Sequence, residues 1–291
     1  MNWKTILKAG LSVLILFLVL RSIDRKLLLE VLTQANPLWL LWALAWYVFS
    51  KIIGAFRFND LLKSDGITMG NCQQLQLYWL GMYYNLLLPG GISGDGYKIK
   101  RLMDEFGRPF RRLFSITLYD RVSGMLALGQ ICLLLALGLP AFQPYWYLWL
   151  AGVLLSVPAS KLLFDRMVGG GKTAWRRTTL QSAGVQLAQL VSVLGVVFAL
   201  NEPAQWLGYS VIFLVSSVVA MLPLTIGGAG ARELTFLWGA RVLHLAPERS
   251  VAIAFVFYLV ATAVSLFGMK YIFTPLVLQP KSPSTVPTED M

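Results

Sequence analysis

Charge is scarce in this chain. Only 13% of its 291 residues are charged, 57% are hydrophobic, and the mean hydropathy is +0.65. A soluble domain carries about 25% charged residues. No polar stretch in the sequence is long enough for a soluble domain of ordinary size, which excludes a catalytic domain or an ATPase engine within it. The phosphate-loop pattern is missing as well. Gly169-Gly170-Gly171-Lys172-Thr173 lacks the opening glycine at the required spacing and reads as a flexible basic loop. Cys72 and Cys132 are the only cysteines, which excludes a disulfide framework or a cysteine metal site. The lone His244 has no neighbouring ligand and reads as packed or interfacial. Acids are few: 14 Asp and Glu against 25 Lys and Arg leave a formal net charge of +11. In a soluble protein that excess would suggest nucleic acid. Here the bases fall between apolar runs, so the positive-inside rule accounts for them and no nucleic-acid partner is expected.

Long apolar runs are what the chain has in plenty. A transmembrane helix needs about 20 mostly apolar residues. Candidates are residues 6–23, 37–56, 113–139, 145–164, 180–200 and 251–275. Shorter runs cover 75–88, 206–222 and 234–245. The first run resembles a signal peptide, but Arg21-Ser22-Ile23-Asp24 offers no cleavage site, so it is expected to stay as a span. The composition predicts an all-α polytopic membrane protein of about six to eight transmembrane helices. Residues 1–278 are expected to form one integral membrane domain, and 279–291 a disordered cytoplasmic tail.

The bases order these spans. Lys51, Arg57 and Lys63 are read as following the second span. Lys98, Lys100, Arg101, Arg108, Arg111 and Arg112 precede the run at 113–139, and Lys161, Arg166, Lys172, Arg176 and Arg177 follow the run at 145–164. These loops read as cytoplasmic. Residues 140–144 carry no charge and 201–205 carry only Glu202, so both read as external. Lys270 and Lys281 place the C-terminus inside, and the N-terminus is expected there too. Arg21, Arg25 and Lys26 run against the rule. The expected location is a bacterial cytoplasmic membrane. Trp39, Trp42, Trp46, Tyr145, Trp146, Tyr147 and Trp149 near the span ends read as an interfacial belt.

Two segments repeat in register. Leu88-Pro89-Gly90-Gly91-Ile92-Ser93-Gly94-Asp95-Gly96-Tyr97-Lys98 aligns with Leu222-Pro223-Leu224-Thr225-Ile226-Gly227-Gly228-Ala229-Gly230-Ala231-Arg232 when Pro89 is set on Pro223. Each interrupts an apolar run, and matched Pro/Gly breaks in two halves point to a transporter's binding site. The loop charges put both ends of the first broken segment inside and both ends of the second outside. That predicts two re-entrant hairpins hinged at Pro89 and Pro223, in an inverted repeat over about 37–139 and 180–275. Pro109 and Pro247 follow the two motifs at similar distances and open the spans after them. The alternative, which the charges also allow, is that the second hairpin crosses fully as two helices.

A restarting helix exposes unpaired N–H groups that favour an anion. Gly94, Asp95, Gly96 and Lys98 stand at the first restart, and Gly228, Gly230, Arg232 and Glu233 at the second. Lys98 and Arg232 would supply counter-charge to a phosphate, while the glycines serve either close approach of the ligand or tight packing of the hairpin. Asn85 makes the first hairpin polar. Asp120 and Arg121 lie about two turns inside a span. Charge at that depth costs several kcal/mol unless paired or wet. Being adjacent, they point about 100° apart and should find partners on other elements.

These pieces resemble the transmembrane region of the lysylphosphatidylglycerol synthases, also called the flippase-like family. The resemblance rests on Asn85 through Gly96, on Tyr119-Asp120-Arg121-Val122-Ser123-Gly124, and on Leu222 through Glu233, in that order. One departure is Ser93, where the family commonly has glycine. In fused members this module moves an aminoacylated phospholipid across the bilayer and a cytosolic domain makes that lipid. This sequence lacks that domain, so the resemblance implies translocation and not synthesis. The expected role is therefore a translocase of a phospholipid or polyprenyl-phosphate-linked lipid. It is not expected to be an enzyme or to need a cofactor or metal, and its partners would be membrane lipids and a separate lipid-modifying enzyme. The alternative is an integral membrane enzyme, glycosyltransferase-like, or an accessory subunit of lipid or glycolipid synthesis. Against it stand the missing second aspartate after Asp95-Gly96 and the lack of an acid beside His244.

Overall fold

The computed structural model describes residues 30–87, 93–140, 142–221 and 230–272, all of them helices and their connections. The run at 6–23, the hinges Pro89 and Pro223, Gly228 and the tail at 279–291 lie outside the described residues.

Helix α1 spans Pro37–Lys63. Pro37 sits in its first turn, and the Asn36 side chain accepts a hydrogen bond from the Leu38 N–H at 3.0 Å, capping the start. The first broken segment is a pair of shorter helices, α2 (Asn71–Leu87) and α3 (Ser93–Phe106). Then come α4 (Phe110–Ala136), α5 (Trp146–Met167) and α6 (Gly171–Ala199). The second broken segment is α7 (Trp206–Met221) and α8 (Ala231–Val242), followed by α9 (Pro247–Leu266) and a 3-10 extension over Phe267–Ile272. Pro109 caps α4 and Pro247 opens α9, as their position after the two motifs predicts.

Six helical stretches among the described residues are long and apolar enough to cross a bilayer: Pro37–Lys63, Phe110–Ala136, Gln143–Met167, Gly171–Ala199, Pro203–Met221 and Pro247–Ile272. The fold is an all-α polytopic membrane protein. Two helix ends differ from the sequence reading. Helix α1 continues past 56, so Arg57 and Lys63 belong to it with Lys51 instead of to a loop. Gly171, Lys172 and Thr173 lie in α6, so only Gly169 and Gly170 are left as a short turn in place of a longer flexible loop.

Polar contacts tie the helix ends into two sets. At one end, Arg112 of α4 pairs with Asp65 beyond α1 at 2.6 Å and donates to the Met167 carbonyl of α5 at 3.2 Å. Arg177 of α6 pairs with Asp60 of α1 at 2.8 Å. Arg108 donates to the Asp65 carbonyl at 2.7 Å, so the start of α2 and the end of α3 meet at this same basic end. At the other end, the Asn36 N–H donates to the Ala199 carbonyl at 2.9 Å, and Arg249 of α9 pairs with Glu202 at 2.5 Å. The start of α7 and the end of α8 lie here, where Leu245 packs beside Gly208. Each hairpin thus has both feet at one end, and the two hairpins use opposite ends.

The seam between α1 and α6 is the most extensive helix packing among the described residues. It is close because small residues line it: a Cβ added at Gly195 would meet the Ala43 backbone nitrogen at 3.1 Å, and Ser192 donates to the Ala43 carbonyl at 2.7 Å. Around it α4 packs on α6 and α7, and α9 packs on α1 and α2. Exchanging α1–α4 for α6–α9 in order maps each main packing among these eight helices onto another. Helix α5 stands outside that scheme, against α4 and α6, with Leu148, Leu154, Leu155 and Leu162 exposed. In a bilayer that face meets acyl chains.

Candidate functional site

Two adjoining chambers of about 270 and 170 Å³ lie between the halves. Lys51, Met82, Asn85, Gln186, Gln189 and Met221 line both, so they form one cavity.

The smaller chamber holds an ion-pair network. Asp120 of α4 pairs through Oδ1 with Arg57 Nε of α1 at 2.8 Å, and Arg57 Nη1 donates to Ser182 of α6 at 3.1 Å. Asp95 of α3 takes two cations: Lys98 Nζ at 2.7 Å, one turn on, and Arg121 Nε of α4. Lys98 Nζ also stands 4.4 Å above the Phe58 ring. Asp120 and Arg121 therefore face inward and take partners on different helices, as their depth in an apolar span requires. The network ties the first hairpin to α4, and α4 to the seam.

The larger chamber is organised around Arg232, in the first turn of α8. It contacts no carboxylate among the described residues. Its Nη1 donates to the hydroxyls of Ser216 and Ser217 at 3.2 and 3.3 Å, and its guanidinium lies 5.1 Å from the Phe257 ring and 5.4 Å from the Phe213 ring. Its neighbour Glu233 makes no ion pair with it. The Glu233 carboxylate is buried and accepts from the Gly230 N–H at 2.8 Å, closing the start of α8 on itself. Lys51, which faces both chambers, lies 4.4 Å from the Tyr47 ring and likewise pairs with no carboxylate among the described residues.

The residues singled out from sequence separate into groups. Asn85, Asp95, Lys98, Asp120 and Arg121 come together in the smaller chamber, and Arg232 stands in the larger. Lys98 and Arg232 share a motif position but differ in partners, since Lys98 is buried against Asp95. Gly94 has a packing role: a Cβ there would fall 1.8 Å from the Gly81 carbonyl oxygen of α2, and its own N–H donates to Asn85 Oδ1 at 2.8 Å. A methyl added at Gly96 would meet nothing within 4 Å, and Gly96 lines neither chamber. Gly230 and Glu233 form the helix cap. Sequence reasoning missed Lys51, Arg57, Gln186 and Gln189 as cavity residues. Gln186 and Gln189 could have been found, because two glutamines three residues apart mark one face of an otherwise apolar span.

These features define a polytopic helical membrane protein with a basic internal cavity between two broken hairpins. The sequence matches the family model described as lysylphosphatidylglycerol synthase TM region over residues 5–168, more than half of the chain, and the protein belongs to that family. The matched region contains the Asn85–Gly96 and Tyr119–Gly124 motifs, and the Leu222–Glu233 motif lies beyond it. Comparison with curated proteins gives no match.

Proposed function

We propose that this protein is a lipid translocase, which passes the headgroup of a phosphate-bearing lipid between leaflets through the cavity while the acyl chains stay in the bilayer. The observation that carries this reading is Arg232, a guanidinium in a cavity between two hairpins with no ion-pair partner among the described residues. A cation held this way in a low-dielectric site favours an anionic group from the substrate. The feet of the two hairpins at opposite ends support an inverted repeat of two re-entrant segments, and the exchange of packings between the halves supports the pseudo-repeat. The cluster of Arg108, Arg112 and Arg177 at one end supports a cytoplasmic orientation for that end. The role is transport and not catalysis, in a bacterial cytoplasmic membrane, with the lipid delivered or removed by a separate enzyme.

Headgroup translocation in proteoliposomes tests this. Losing a charge-assisted contact costs about 1.5–3 kcal/mol, or roughly 10- to 150-fold. Arg232→Ala should slow transport by that order while leaving helix content and monodispersity unchanged. Arg232→Lys should keep part of the rate if charge suffices, and lose it if a bidentate phosphate contact is needed. Wild-type protein that moves no lipid faster than empty vesicles would end the reading.

A further inference from the structure

The lining of the joined cavity is unbalanced in charge. Among the described residues, five bases face it and two acids, Asp95 and Asp120, which leaves a surplus of three positive charges. The acids are already engaged, Asp120 by Arg57 and Asp95 by both Lys98 and Arg121. Lys51 and Arg232 carry the rest of the surplus with aromatic rings and hydroxyls for company. Residues 88–92 and 222–229 contain no acid in the sequence. The Thr262 hydroxyl, which lines the chamber of Arg232, is buried without a hydrogen-bond partner among the described residues. Asn85, Gln186 and Gln189 offer further neutral donors in the shared wall.

A surplus of cations in an apolar surround is unfavourable until an anion enters. The charge of that anion discriminates among lipids. A zwitterionic headgroup brings its own cation and leaves the surplus as it was. A phosphodiester brings a single negative charge. A terminal phosphate carries about −1.5 to −2 at pH 7, with its second pKa near 6, and presents three acceptor oxygens. Only the last approaches the surplus and satisfies donors on both sides of the cavity. Building on the translocase reading, we propose that the cavity selects lipids ending in a phosphomonoester or diphosphate over phosphodiester and zwitterionic lipids, with Lys51 and Arg232 as the residues that set the selection.

The full-length protein in nanodiscs of phosphatidylcholine would be titrated with short-chain phosphatidic acid, phosphatidylglycerol, phosphatidylethanolamine and inorganic phosphate. Phosphatidic acid should bind at least about tenfold tighter than phosphatidylglycerol at pH 7.5, the scale of one added charge-assisted contact. Phosphatidylethanolamine should bind more weakly still. The preference should shrink below about pH 6, where the terminal phosphate takes up its second proton. Lys51→Gln and Arg232→Gln should each reduce the preference severalfold without lowering thermal stability, because each removes an unpaired interior charge. Arg232→Lys should retain it. Equal affinity for phosphatidic acid and phosphatidylglycerol, or a preference unaffected by pH, would overturn the proposal. Inorganic phosphate binding as tightly as phosphatidic acid would assign the site to the free ion and overturn the lipid assignment. Translocation of phosphatidylglycerol or phosphatidylethanolamine as fast as phosphatidic acid would remove the selection and leave transport standing. Tight, pH-dependent phosphatidic acid binding with no translocation of any lipid would do the reverse.

Discussion

Replacing Asp120 by Ala should be among the most destabilising single changes in this protein. Both partners of the Arg57–Asp120 pair are shielded, with side-chain exposures of 7% and 10%. Removing one member of a buried pair leaves an uncompensated charge, which costs about 3–5 kcal/mol. Among the described residues Arg57 would keep its bond to Ser182 alone, so the expected loss lies in that range. Asp120→Asn keeps the shape and an acceptor oxygen but not the charge, and should cost less, about 2–3 kcal/mol. Combining Arg57→Met with Asp120→Ala removes both charges, and the double variant should be more stable than the sum of the two single losses predicts. Arg177→Ala gives the contrast. That arginine also pairs with a carboxylate, Asp60, but is 66% exposed, and its loss should cost below about 1 kcal/mol. Reversible unfolding in mixed detergent–SDS micelles measures all of these. A loss under about 1 kcal/mol for Asp120→Ala, or no coupling in the double-mutant cycle, would refute the view that this pair is a shielded tie between α4 and the seam.

The two glycines beside Asp95 should part company. Gly94→Ala forces a methyl against the Gly81 carbonyl and should abolish folded protein, read by size-exclusion yield, whereas Gly96→Ala meets open space and should express normally. Cysteine labelling tests the hairpin feet. The exposed native Cys72, at the start of α2, should react with an impermeant maleimide from the side that labels Met103→Cys, and Pro203→Cys in a cysteine-free background should react only from the opposite side. Labelling of positions 103 and 203 from one side would sink the topology.

The spans were legible in the sequence because apolar runs of this length have few other uses. Their ends were less so. Arg57 looks like a loop base in a hydropathy scan, and only the tertiary pairing with Asp120, 63 residues away, lets it sit inside α1. The inward partners of Asp120 and Arg121 followed from desolvation alone, since the cost of bare charge leaves few arrangements open. The roles of the glycines did not. Gly94 and Gly96 are equivalent as letters, and which one is pressed against a neighbouring carbonyl depends on where α2 crosses α3. Glu233 was read with Arg232 as part of a headgroup site, but it is held by the local geometry of a helix cap, which a motif does not reveal. Lys51 was hidden for another reason: a single lysine near a predicted span end resembles any other positive-inside residue.

The close seam of α1 and α6 has a mechanical corollary. Lys51 and Arg57 are six residues apart on α1, about 9 Å along its axis, and Gln186 and Gln189 face the same cavity from α6. Most of the polar surface shared by the chambers is thus carried by the post on which both hairpins hang, and Asn85 adds to it from the first hairpin. Ser192 and Gly195 pin that post at Ala43, leaving it little room to slide. Under the proposed translocation, hairpins swinging like doors would leave the handholds for a headgroup at fixed spacing, and a bulky residue at Gly195 would shift those handholds and disturb both doors at once.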